Sequence, residues 1–163
     1  MSQPPPGREA TVLLSWLDGQ RDHVLGILEG LGDADLRRAV LPTGWSCLGL
    51  VHHLAVDVER WWFRYIFSAE PLVFDGGAWT VPEGVSAEEV FALYREEIDR
   101  SNAIVRAHRP DAAPTGYPDD WPLRRYPDLR ELIVHVMTET ANHAGHLDAV
   151  RELIDGRTWL VLD

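Results

Sequence analysis

The sequence predicts an all-α fold: a four-helix bundle with long inter-helix loops, built as one domain over residues 1–163. Three observations carry this. Apolar residues recur at spacings of three and four along four long stretches. No stretch shows the strict alternation of a half-buried strand. Helix-opening and helix-closing residues bracket those stretches at Ser46, Ser86, Asp128 and Gly156.

The first helix is expected from about Arg8 to Leu31, after a loose tail containing Pro4–Pro6. Leu13, Trp16, Leu17, Val24, Ile27, Leu28 and Leu31 form its apolar stripe, and Gly30 and Gly32 end it. The segment DADLRRAV suits one or two further turns, and LPTGW reads as a turn. Ser46 is an N-cap for a second long helix reaching about Phe67. Its expected stripe is Cys47, Leu50, Leu54, Val58, Trp61 and Tyr65. A loop at 68–85 follows.

Ser86 with Glu89 is a capping-box pair opening a third helix to about His108. Its stripe is Ala87, Phe91, Tyr94, Ile98 and Val105. A second long loop covers 109–127. Asp128 then caps the fourth helix, again with a glutamate three residues on, Glu131, and Gly156 stops it after Asp155. The tail RTWLVLD is apolar and is expected to pack back or form a short strand. Loops of this length in a compact domain are usually functional or disordered. Trp79, Tyr117 and Trp121 could together roof a pocket, while each taken alone is more simply read as packing onto the bundle surface.

Hydrophobic residues make up 45% of the chain, and seven are tryptophan, enough for a packed core. The formal net charge of −11 sets the surface against nucleic-acid phosphate and anionic lipid, so no nucleic-acid partner is expected. No apolar run approaches the roughly 20 residues of a membrane span, and the N-terminus has neither the basic start nor the apolar stretch of a secretory signal. Cys47 is the single cysteine, which excludes an internal disulfide and fits a reducing cytoplasm. Its expected role is a small packed residue.

The chemistry concentrates in two runs. HVMTETANHAGH places His135, Glu139, His143 and His146 within an arc of about 80° on one helical face. Glu139 and His143 lie one turn apart at the edge of the apolar stripe, so two side chains can converge on one ion. LGLVHHLAVDVERWW supplies His52, His53 and Asp57 on another helix. His53 also sits at a stripe edge, whereas His52 points toward the polar side with Glu59. Any one of these residues alone reads as part of a solvated face. Together, His53, Glu139 and His143 make a candidate metal set, and His₂Glu is a zinc-binding combination. Asp57, one turn after His53, is placed to orient its imidazole or to join the metal. His135 and His146 are reserve ligands or hydrogen-bond partners; His23 and His108 are ordinary helix-surface and helix-end histidines.

The runs LVHHLA…ERWWF and ETANHAGHLDAVRELIDG resemble the DinB-like, or YfiT-like, metalloenzyme superfamily, in particular an actinobacterial branch. The likeness covers most of the chain. It implies a four-helix bundle that binds a divalent metal, zinc or nickel, through His53, Glu139 and His143. Many relatives carry histidine at both positions on the last helix. Glu139 departs from them and agrees with mycothiol-dependent maleylpyruvate isomerase, which carries an extra C-terminal domain, whereas the sequence here ends soon after the fourth helix. The resemblance implies transfer of a low-molecular-weight thiol of the mycothiol type to a small electrophile.

In that reading the metal favours thiolate over thiol, and no side chain stands out as a separate general base. Two other functions stay open. One is metal-dependent hydrolysis, which would not need a thiol. The other is a non-enzymatic helical bundle that binds a partner. The tandem Trp61 and Trp62 cannot both face one core, which suggests a homodimer interface.

Overall fold

Ser46, Ser86 and Asp128 each accept a backbone N–H from the residue three positions on, Gly49, Glu89 and Glu131, and each opens a helix. At Ser86 the box closes in both directions, since the Glu89 side chain accepts from the Ser86 amide. At the other end of the last helix Gly156 takes φ 78°, where a residue with a Cβ would be strained.

The computed structural model describes residues 7–74 and 77–159. Among them α1 is Arg8–Leu28, α2 Asp33–Arg37, α3 Cys47–His53, α4 Ala87–Ala107 and α5 Leu129–Asp155. α3 runs on without a break into a π-helical segment, Leu54–Phe67. The architecture is all-α: among the described residues the only β pairing is an isolated bridge between Ala39 and Ser46. Four long rods and the short α2 make up the bundle. α1 lies along α5, and α4 packs against both α3 and its π-helical extension. Leu17, Val24, Ile27, Leu50, Leu54, Leu132, Ile133, Val136 and Leu147 meet in the core. α1 ends one turn sooner than the expected Leu31. The last four residues and Pro4–Pro6 lie outside the described residues. Trp159, just before that end, does pack back, stacking on His23 of α1 at 4.9 Å.

The π-helical extension changes which residues face inward. A turn closing at i+5 is wider than an α turn. At the junction the Leu54 amide is still bonded in the α manner, shared between the carbonyls of Leu50 and Val51 four and three residues back. Ser68 ends the segment by donating to the carbonyl of Phe63, at 3.2 Å. The buried line therefore drifts from Leu50, Leu54 and Val58 to Phe63, Ile66 and Phe67. The expected positions Trp61 and Tyr65 are only half-buried.

Glu59, expected on the polar side, is fully buried instead. It accepts two hydrogen bonds from the equally buried Arg21 of α1, at 2.8 and 2.6 Å. Arg21 also donates to Asp18 and to Asn102 of α4, at 2.8 Å each, so three rods share one polar knot. A buried carboxylate is tolerated only when paired and hydrogen-bonded in this way. Trp16, expected in the α1 stripe, is 65% exposed. The inward sector of α1 centres on Leu14, Leu17, Arg21, Val24 and Leu28, and Trp16 points away from it.

The loops are tied to the rods. Thr115 and Gly116 donate to the carbonyls of Phe67 and Ile66, which a helix end leaves without intrahelical partners. Arg151 of α5 is buried and donates to the carbonyls of Ile27 and Glu29, closing the end of α1 in the same way.

Candidate metal centre

The bundle brings α3 and α5 together where both carry histidine. The rings of His53 and His143 meet edge to face with centroids 5.1 Å apart. One turn before His143, Glu139 places its Oε2 3.7 Å from His143 Nε2. That is too long for a hydrogen bond. It is close to the edge of a coordination polyhedron with bonds near 2.0–2.1 Å, about 3.3–3.5 Å. The side chains of His53 and His143 are mostly buried, and that of Glu139 is partly open to solvent.

Local partners set which nitrogen of each ring is free. His53 Nδ1 lies 3.1 Å from Asp57 Oδ2, as expected for a carboxylate one turn along. A carboxylate accepts, so Nδ1 carries a proton, and the tautomer this selects has its lone pair on Nε2. His143 Nδ1 lies 3.5 Å from His146 Nδ1, leaving His143 Nε2 on the side of Glu139. Burial pushes the His143 imidazole down to about 4, and the neighbouring His53 and His146 add to that. It is therefore neutral at ordinary pH.

The donor chemistry fits a divalent ion: two imidazoles and a carboxylate, drawn from two helices, with Asp57 orienting one ring. Among the described residues, however, no three His, Cys, Asp or Glu side chains are drawn together tightly enough to enclose an ion.

The remaining candidates have other placements. His52, expected at the surface, is half-buried, with Nδ1 2.7 Å from the carbonyl of Ala78. His135 lies between Tyr126, stacked at 4.7 Å, and Trp62, edge-on at 4.6 Å. Burial holds its imidazole below the usual range. His146 is exposed and lies near Trp45. His23 bonds Asp148 of α5 at 2.7 Å, and His108 bonds the carbonyl of Ile104 at the end of α4. Cys47 is fully buried, and burial raises its thiol to about 11, which suits a packing role.

The three loop aromatics expected to roof a pocket lie against the helices or one another. Trp79 stacks on His53 at 4.0 Å and touches His143 edge-on at 5.5 Å. Trp121 lies against both Trp61 and Trp62, while Tyr117 accepts a hydrogen bond from the Tyr126 amide. Both tandem indoles thus find partners within the chain, and the pair supplies no argument for a second copy. The contact of Trp79 with His53 was not read from the sequence. Its trace there is Gly49: a Cβ at that position would collide with the Trp79 carbonyl.

An all-α bundle in which a histidine before Leu-Ala meets an E-x-x-x-H pair on the last rod is the DinB/YfiT-like arrangement. A family model for mycothiol S-transferases matches residues 12–156, and the chain belongs to that family. No curated protein matches the chain. Among the described residues no helix is long and apolar enough to cross a membrane.

Proposed function

We propose that this protein is a divalent-metal-dependent S-transferase that moves a mycothiol-type thiol onto a small electrophile. His53, Glu139 and His143 would hold the ion, zinc or alternatively nickel. The observation that carries the proposal is the meeting of the His53 and His143 rings from two helices beside Glu139, in a chain of this family.

A bound divalent ion supplies a positive charge that favours thiolate over thiol. The protein's own groups do the rest. Asp57 holds His53 in the tautomer whose lone pair is on Nε2. The buried, neutral His143 offers a lone pair without first losing a proton. The thiol proton is released to solvent, carried by Asp57 or His146, the two groups in contact with the outer nitrogens of the imidazoles. The sulfur then bonds to the electrophilic carbon, and the leaving group departs with its bonding pair. Trp79 screens the pair of imidazoles from water on one side.

The test combines metal analysis with turnover. Protein purified without chelator should carry about one zinc or nickel per chain, as a three-ligand catalytic site does. It should conjugate a small alkylating electrophile only when mycothiol is added. His53→Ala should lose both metal and turnover. Turnover without thiol, with water as nucleophile, would instead support the hydrolase reading. Absence of metal after reconstitution would remove both.

A further inference from the structure

The segment around Trp79 has two attachments to α3 that packing alone does not require. The first is polar. A carbonyl can only accept, so His52 Nδ1 must carry a proton and donate to the Ala78 carbonyl at 2.7 Å. The second is steric. Gly49, one turn before His53, leaves room for the Trp79 carbonyl, and any Cβ there would push the backbone away. Between them these contacts seat the loop against the helix on the turn that carries His53.

Trp79 itself remains 41% exposed, so burial does not account for its position. Its ring is nearly parallel to His53, at 15°, and reaches the edge of His143 on the other rod. One loop side chain thus touches both imidazoles. Asp57 restrains His53 through Nδ1, and the indole restrains the plane of the same ring.

We propose that Trp79, latched by His52 and seated on Gly49, is a positioning residue that holds the His53 and His143 rings in ligating orientation before an ion arrives. This rests on the metal reading above. The indole donates no ligand atom. It limits rotation of two rings that come from different helices, and ring orientation governs how well a ligand set closes on its ion.

The experiment measures zinc affinity by competition with a chromophoric chelator, and the visible absorption of the cobalt-substituted protein, which reports coordination geometry. Circular dichroism verifies the fold of each variant. Trp79→Ala and His52→Ala should each weaken zinc about 10–100-fold, the usual effect of losing an outer-shell partner, and should alter the cobalt spectrum. Trp79→Phe keeps an aromatic plate, and His52→Asn keeps a donor near the position of Nδ1. Both should recover most of the affinity and the native spectrum. The proposal is overturned if Trp79→Ala and His52→Ala bind zinc like the native protein while His53→Ala does not. If His53→Ala also binds normally, the metal reading itself fails and this inference fails with it.

Discussion

Arg21 and Glu59, 38 residues apart, close a two-pronged ion pair in which neither side chain reaches solvent. It joins α1 to the π-helical extension of α3, and through Asn102 it reaches α4. Removing one partner leaves the other charged and alone in the core, which is among the more costly single changes available. Glu59→Ala should therefore destabilise the protein by about 3–5 kcal/mol. The paired change to apolar residues, Arg21→Met with Glu59→Leu, should cost much less. Urea unfolding of the three proteins, compared at unchanged m-value, checks both expectations.

Asp57→Asn tests how His53 is oriented. The amide keeps the shape but loses the charge that fixes the Nδ1–H tautomer. Metal affinity should drop about 10–100-fold with no loss of helix content. Equal affinity in a chelator competition would show that Asp57 plays no part in the proposed centre.

The metal-free protein should weaken in mild acid through His143. An unfolded histidine binds its proton below about 6.5, whereas folded His143 does so only below about 4. Between those values the unfolded state carries more protons, so stability falls as pH falls. The loss should approach about 3 kcal/mol by pH 4. His143→Gln should flatten that part of the stability–pH curve, measured with chelator present. An unchanged slope would mean that the imidazole titrates normally.

Packing and surface can be separated on two rods. Leu147 of α5 is fully buried, so Leu147→Ala should cost about 2–5 kcal/mol. Trp16 is large but points outward, so Trp16→Ala should stay within about 0.5 kcal/mol. Thermal melts of the two variants give the comparison directly.

The capping box at Ser86 can be removed with little other disturbance. Its hydroxyl accepts from the Glu89 amide, and both residues are exposed. Ser86→Ala should cost about 1 kcal/mol, and chemical denaturation should show the shift without a change in fold.

The boundaries of the rods were legible because their signals are local. A cap works within three residues, so Ser46, Ser86, Asp128 and Gly156 could be read directly. The spacing of Glu139 and His143 was legible for the same reason, since one helical turn sets it. Past Leu54 that reasoning lost phase. A constant rotation of about 100° per residue put Glu59 outside, while the wider π turns carry it inside.

The chain alone determined the class of fold, the ends of its helices and the residue types available for a site, because periodicity and capping depend on neighbours in sequence. Only the tertiary structure decided which groups meet. The pairing of Arg21 with Glu59, the contact of His53 with His143 and the seating of Trp79 on both rings join distant segments. Such contacts follow from how rods pack and how a loop returns across them, and no local pattern encodes either path.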